Sequence, residues 1–165
     1  MESMKDDFLK IISSYQGIIH KVNLIYFRVV VDREDNFQEV LLQLWKSFPQ
    51  LKDRTKIGSW IYAVAINTSI TKIRRENKLV FTELTDSIPE INLIDSAIDN
   101  HEVQADFQQL IDLLYRLNEI DRSIMLLYFE ELDYSQIAEI MGITTTNVGV
   151  RINRSKTQLK KYFNQ

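Results

Sequence analysis

Residues 121–163 read DRSIMLLYFEELDYSQIAEIMGITTTNVGVRINRSKTQLKKYF, and this stretch decides the fold. Two short apolar helical segments precede Gly142, and a third helix with basic outward residues begins near Thr144. Ala138 lies four residues before Gly142, so a small side chain permits close packing and the glycine permits a sharp turn. This order is typical of a helix-turn-helix, which delivers a helix N-terminus to a DNA major groove.

Short polar residues mark where the helices of this stretch begin. Asp121 is predicted to cap the first segment, and Asp133 followed by Gln136 fits a capping box at the second. Thr144 or Thr145 is predicted to cap the last helix. The first turn of that helix, where a recognition helix reaches base edges, therefore holds Thr145, Thr146 and Asn147.

The last helix also carries cations that are left for solvent or phosphate: Arg151, Arg154, Lys156, Lys160 and Lys161. From residue 146 onward there are 5 bases and no acid. A lone basic helix is often no more than a solvated amphipathic helix. The ordered small, glycine and apolar positions before it favour DNA binding instead.

Charge is divided unevenly along the chain, whose net charge is −3. Residues 1–80 contain 13 Lys and Arg against 9 Asp and Glu, whereas residues 81–112 contain 8 acids and no Lys or Arg. Contacts with phosphates are screened beyond about 8 Å at physiological salt, so the local balance matters more than the total. The pattern predicts two basic lobes joined by an acidic segment.

Composition favours an all-α protein. Only 4 Gly and 2 Pro interrupt the 165 residues, and 45% of the residues are hydrophobic, which is enough for packed cores. No cysteine is present, so disulfides and thiolate metal sites are excluded. The first residues lack an apolar signal core, and no apolar run approaches the ~20 residues that a membrane span needs. We expect a cytoplasmic protein without membrane insertion.

Helical spacing of apolar residues recurs through the N-terminal half, over residues 6–27, 33–48 and about 57–78. Asp32 or Asp35 is predicted to cap the second of these helices.

A further helix is predicted over residues 99–117, after an acidic stretch with weak periodicity. We therefore predict two small helical domains, residues 1–80 and 99–165, joined by an acidic linker over residues 81–98.

The third N-terminal helix combines aromatic, amide and cationic side chains: Trp60, Tyr62, Asn67, Arg74 and Arg75. Aromatic and amide groups suit the stacking and edge recognition of unpaired bases, and the cations suit the nucleic-acid backbone. Taken one at a time, the aromatic residues are as readily explained as core residues.

Two blocks of the sequence together resemble the extracytoplasmic-function sigma factors of bacterial RNA polymerase. The first block is DREDNFQEVLLQLW at 32–45 with GSWIYAVAIN at 58–67, and the second is LNEIDRSIMLLYFEELDYSQIAEIMGI at 117–143. Their order and spacing make the resemblance specific, which a helix-turn-helix alone would not be. It covers about residues 20–80 and 115–163.

The resemblance implies a sigma region 2-like bundle, a sigma region 4-like helix-turn-helix domain, and a protein that is not an enzyme and needs no cofactor or metal. It implies core RNA polymerase as a partner, held through the clamp helices of its largest subunit and through its flap. Promoter DNA and an anti-sigma factor are the other implied partners. The implied polymerase-binding residues are Gln38, Glu39, Leu42 and Trp45.

The resemblance also assigns DNA contacts. The residues implied at the −10 element are Trp60, Tyr62, Asn67, Arg74 and Arg75, with Asn67 near a flipped base. The residues implied at the −35 element are Thr145, Thr146, Asn147, Arg151, Arg154 and Lys156. The chain departs from the family after Val148, where Gly149 and Val150 replace the usual polar residues, and a mid-helix glycine costs about 1 kcal/mol relative to alanine.

Other functions remain open from the sequence. A DNA-binding regulator with a LuxR-like helix-turn-helix would leave a footprint on duplex DNA without polymerase. A helical adaptor would bind protein alone. An enzyme is disfavoured because no nucleophile–base pair, phosphate-binding loop or metal cluster occurs in the sequence.

Overall fold

Seven α-helices and two short 3-10 turns, with no strand, make up the part of the chain that the structure describes. This computed structural model describes the backbone of residues 1–80 and 101–164, and the side chains of residues 1–77 and 104–164. The chain divides into two compact units, Met1–Thr85 and Asp86–Gln165. The all-α prediction is confirmed. The predicted linker lies outside the described residues, so its bounds stay a prediction.

The N-terminal unit is a bundle of α1 (Glu2–Tyr26), α2 (Val30–Ser47) and α3 (Ile57–Val80), each packed against the other two. The helical spacing seen in the sequence buries one apolar stripe of each helix. The fully buried side chains of this core are Ile19, Val22, Val40, Leu44, Ile61 and Ala65.

The start of α2 differs from the prediction. The helix begins at Val30 with Val29 as an extended N-cap that makes no side-chain bond, so neither Asp32 nor Asp35 is the cap. The turn is tied instead through Arg33, whose carbonyl accepts from Asn23 Nδ2 at 3.1 Å. Tertiary hydrogen bonding at this turn outweighs the local preference for a capping aspartate.

Buried amide and hydroxyl groups connect all three helices of this unit. Asn36 of α2 is completely buried, and its Nδ2 donates to Asn23 Oδ1 of α1 at 2.6 Å and to Ser69 Oγ of α3 at 2.9 Å. The Ser69 hydroxyl in turn donates to the Ala65 carbonyl at 2.7 Å. Such a cluster favours one arrangement of the bundle, since each polar group needs its partner when water is excluded.

The C-terminal unit contains α4 (His101–Leu114), α5 (Glu119–Phe129), α6 (Tyr134–Met141) and α7 (Thr145–Phe163). The first three of these helices each pack against α7, and α5 also contacts α6. The fully buried side chains of this core are Ile124, Leu127, Ile137, Val148 and Ile152.

The residues predicted to cap the helices of this unit do so, with one exception. Asp133 and Gln136 form the predicted capping box of α6, and Thr144 caps α7 by accepting from Asn147 N. Gly142 ends α6 with φ 67°, a left-handed conformation that favours glycine.

The exception is the start of α5. Asn118 is its N-cap, and its side chain accepts from the Asp121 backbone N–H. The prediction that Asp121 caps this helix is therefore wrong. Asp121 lies inside the first turn, where its carboxylate is free to bond elsewhere.

We expect Asn36→Ala to lower the free energy of unfolding of the N-terminal unit by about 1–3 kcal/mol, because Asn23 Oδ1 would lose its buried donor. Both tryptophans, Trp45 and Trp60, lie in this unit, so tryptophan fluorescence during urea unfolding reports on it selectively. Gln38→Ala, at an exposed position of α2, should change stability by less than about 0.5 kcal/mol. Identical urea midpoints for the two variants would show that the polar cluster contributes nothing.

Candidate nucleic-acid interface

One side of α7 packs into its unit and the other faces solvent. Val148, Ile152 and Ser155 are buried, while Thr145 and Thr146 in the first turn are exposed. Asn147 is half-buried. The first turn thus presents the uncharged side chains that the helix-turn-helix pattern predicted there.

The cations of α7 behave differently from one another. Lys160 and Lys161 are exposed, and the Arg154 side chain keeps 59% of its surface. Arg151 is mostly covered, and its Nη1 lies 2.6 Å from Asp121 Oδ1. Because 4% of the Asp121 side chain and 26% of the Arg151 side chain are exposed, this is a partly buried ion pair between α7 and α5. The structure therefore gives Arg151 an internal partner, in contrast to its predicted contact with DNA.

The carboxylate of Asp121 has further hydrogen-bond and ionic partners besides Arg151. Its Oδ2 accepts from Asn118 Nδ2 at 2.8 Å, and Arg154 Nη2 lies 3.7 Å from the same oxygen. A carboxylate removed from water is stabilised only when such donors replace its hydration. Asp121 therefore fixes how α7 lies against the start of α5.

Arg122, the next residue, was not singled out from the sequence. It is buried, and its guanidinium donates to the carbonyls of Leu114, Tyr115 and Leu117 at 3.1, 3.3 and 2.9 Å. These carbonyls lie at and just beyond the end of α4, so the cation completes that helix terminus and suits its dipole. An arginine that lies just before the apolar run of α5 is the signal that could have revealed Arg122.

Lys156 is held over an aromatic ring. Its Nζ lies 4.4 Å from the centroid of Tyr128, and hydrogen bonding to Tyr128 raises the pKa of Lys156 above its ordinary value. The ammonium, on an exposed residue of α7, therefore lies beside the Tyr128 ring.

The residues predicted on α3 separate into surface and core. Asn67, Arg74 and Arg75 are exposed, whereas Trp60 is half-buried with its ring 6.2 Å from that of Phe48. Tyr62 is only 6% exposed and belongs to the core. Its predicted contact with DNA is corrected accordingly, because a buried ring cannot stack on a base without unpacking the bundle.

The predicted polymerase-binding residues of α2 also differ in exposure. Gln38 is exposed, and Leu42 keeps 45% of its surface. Glu39 is half-buried and accepts from Gln43 Nε2 at 3.0 Å. Trp45 packs edge-on against Phe8, with centroids 5.1 Å apart, so its ring is partly committed to the bundle.

Among the residues that the structure describes, no cluster of His, Asp and Glu side chains could hold a metal ion. No described helix combines the length and the apolar character that a membrane crossing requires.

Comparison with known protein families gives two matches, one in each unit. The family model of Sigma-70 region 2 matches residues 11–79, and that of Sigma-70, region 4 matches residues 107–159. Together they span most of the chain in the order that the sequence predicted. They support a sigma factor over the LuxR-like regulator.

Curated relatives are similar over most of their length. The chain is 27% identical to RNA polymerase sigma factor YlaC of Bacillus subtilis (strain 168), covering 78% of this chain and 75% of that protein. It is 27% identical to sigma factor SigV of the same strain, over 87% and 83% of the two chains. It is 24% identical to the ECF sigma factor SigW, also of that strain, over 95% and 89%.

Solved structures share the fold. The sigma factor RpoE, in complex with the anti-sigma factor NepR from Bartonella quintana, superposes with a TM-score of 0.71 at 15% identity, covering 99% of this chain and 98% of that one. CnrH, in complex with the cytosolic domain of CnrY, gives a TM-score of 0.67 at 11% identity, over 97% and 89%. At these identities the likeness concerns the fold alone.

We expect Arg151→Ala to destabilise the C-terminal unit by about 2 kcal/mol. Breaking a buried ion pair costs roughly 3–5 kcal/mol, and Asn118 and Arg154 would still compensate part of the Asp121 charge. Amide hydrogen exchange in α5 and α7 measures the loss within this unit. Arg154→Ala, which removes an exposed cation, is the matched control and should have little effect on exchange. Equal protection in both variants would contradict the structural role of Arg151.

Proposed function

Since the chain belongs to the sigma-70 family, among its extracytoplasmic-function members, we propose that its two units divide promoter recognition between them. The chain is an RNA polymerase sigma factor that directs the core enzyme to specific promoters. In the proposal the N-terminal unit binds the core enzyme and opens the −10 element. The C-terminal unit reads the −35 element in duplex DNA. The supporting observation is that each family match falls within one separately packed unit.

Reconstitution tests this function directly. The chain is mixed with sigma-free core RNA polymerase, and transcription is measured from a library of promoter fragments. A sigma factor produces transcripts from particular promoters only in the presence of the core enzyme. Binding to duplex DNA without any effect on polymerase would favour the regulator, and binding to neither would favour the adaptor.

The proposed polymerase-binding surface lies on α2 and comprises Gln38, Glu39, Leu42 and Trp45. Its partner in this proposal is the pair of clamp helices of the largest polymerase subunit. Leu42 carries the argument, because an exposed leucine is what a partly apolar docking surface needs. Trp45 adds the exposed part of a ring whose other side rests on Phe8.

The proposed −10 surface lies on α3. Asn67 would hydrogen-bond an unpaired base, and the exposed part of Trp60 would support the edge of the melted region by stacking. Arg74 and Arg75, two turns beyond Asn67, would neutralise the phosphates of the same strand. Tyr62 is left out of this surface because it is buried.

The proposed −35 surface lies on α7. Thr145, Thr146 and Asn147 would reach base edges from the first turn. Arg154 and Lys156 would contact phosphates, and the flap of the core enzyme would hold this unit at the upstream element. Arg151 contributes by positioning α7 against α5 through Asp121.

We also propose that the free chain is held by an anti-sigma factor in the cytoplasm. One superposable structure is a sigma factor in complex with an anti-sigma factor, and another is CnrH in complex with the cytosolic domain of CnrY. Exposed apolar residues of the N-terminal unit, Val30, Val31 and Leu42, offer surface for a protein partner in the absence of polymerase.

We expect Leu42→Ala to weaken binding to core RNA polymerase about fivefold or more, the effect of losing roughly 1 kcal/mol or more at an interface. Leu9→Ala is the matched control, because Leu9 is a similarly exposed leucine on α1. The Kd for the core enzyme, measured with fluorescently labelled chain, compares the two. Equal affinities would place the polymerase contact away from this part of α2.

We expect Asn67→Ala to reduce open-complex formation about tenfold or more while leaving polymerase affinity intact, because a base contact contributes roughly 1–3 kcal/mol. Permanganate reactivity of unpaired thymines measures the opened fraction. Asn77→Ala, at another exposed asparagine of α3, is the control and should open the promoter normally. Loss of polymerase binding together with opening would mean that Asn67 acts through folding.

A further inference from the structure

The outward side of α7 near its beginning is uncharged. Val148 is fully buried, and at 3.6 residues per turn the side opposite it holds Thr146, Val150 and Asn153. All three are exposed, and Val150 keeps 56% of its surface. The first cation along this side is Arg154, one turn further on.

The nearest guanidinium is committed inside the unit. A guanidinium is the usual partner of guanine O6 and N7 in the major groove. That of Arg151 instead lies 2.6 Å from the buried carboxylate of Asp121. The start of α7 therefore presents hydroxyl, amide and methyl groups to a groove.

Val150 projects from this surface beside a residue that has no side chain. A Cβ added to Gly149 would lie 3.3 Å from Cε2 of Tyr134, so the Tyr134 ring occupies the space next to the glycine. The isopropyl group of Val150 has no such cover. An exposed β-branched residue within a helix is locally unfavourable, because its rotamers are restricted and its apolar surface faces water.

Thymine is the base that offers an apolar group in the major groove, its C5-methyl, and aliphatic side chains and threonine methyls contact it. We infer that Val150, together with Thr146, determines specificity by contacting thymine methyl groups in the upstream promoter element. This inference rests on the proposed function, which brings α7 to duplex DNA. It predicts that thymine is preferred at the base pairs facing the middle of α7.

The preferred base sequence of the upstream promoter element has to be determined first. Holoenzyme assembled from the chain and core RNA polymerase selects promoters from a library randomised over that element, scored by transcription. Each thymine of the selected element is then replaced by deoxyuridine, which pairs identically and lacks only the C5-methyl group. We expect one or two replacements to weaken promoter binding by about three- to fivefold, the effect of one buried methyl group.

The Val150→Ala variant tests whether Val150 is the residue that senses the thymine methyl group. This variant should fold, because the position is exposed and alanine favours a helix. It should bind thymine and deoxyuridine promoters equally at one of the positions that wild type distinguishes, while a position contacted by Thr146 keeps its difference. Thr157→Ala, further along the same side of α7, should retain the wild-type difference; its hydroxyl already donates to the Asn153 carbonyl at 3.0 Å.

The possible outcomes distinguish a failure of this inference from a failure of the proposed function on which it rests. Promoter-selective transcription with no sensitivity to any deoxyuridine would overturn the inference and leave the sigma function in place; a protein would then be the better partner for Val150. Sensitivity that survives unchanged at every position in Val150→Ala would overturn the assignment to this residue. Absence of promoter-selective transcription would overturn the proposed function and the inference with it.

Discussion

A buried carboxylate governs the placement of the last helix. The Asp121 side chain is almost completely enclosed, and Arg151 reaches it from α7 at 2.6 Å. A charge removed from water must be matched by donors in a definite geometry, so α7 is tied to one position against the start of α5. Arg122 acts similarly on α4, because its guanidinium donates to the last carbonyl of that helix, Leu114, and to the carbonyl of Leu117 beyond it. Two adjacent residues thus set the positions of the helices before and after them.

This arrangement has a consequence for recognition. Because Arg151 is held by Asp121, the start of α7 faces outward with threonines, an asparagine and a valine, and cations follow only from Arg154 onward. In the proposed function, affinity for phosphate and discrimination among bases would therefore come from different parts of one helix. The Gly149–Val150 pair, a departure from the family, would then form part of an uncharged surface that contacts bases.

In the N-terminal unit, uncharged polar groups fix the positions of the helices. Asn36 hydrogen-bonds α1 and α3 to α2 through Asn23 and Ser69, and no charge has to be buried for this. The bundle that results leaves Leu42 of α2 and Asn67 of α3 on its surface. The polymerase and −10 proposals both depend on that rigid placement, since contact surfaces on packed helices hold their geometry better than those on loops.

By itself, the sequence determined the helices, the two-part organisation, the capping box at Asp133 and the turn at Gly142, because periodicity and capping act between residues a few positions apart. It also predicted contact roles for Asn67 and for the threonines of α7, which the structure leaves exposed, and these roles stay predictions. Only the tertiary structure decided that Tyr62 is core, that α2 begins at Val30, and that Arg151 faces Asp121, thirty residues away in sequence. The sequence shows which cations are present. Which of them forms an internal ion pair depends on where a helix distant in sequence places its carboxylate.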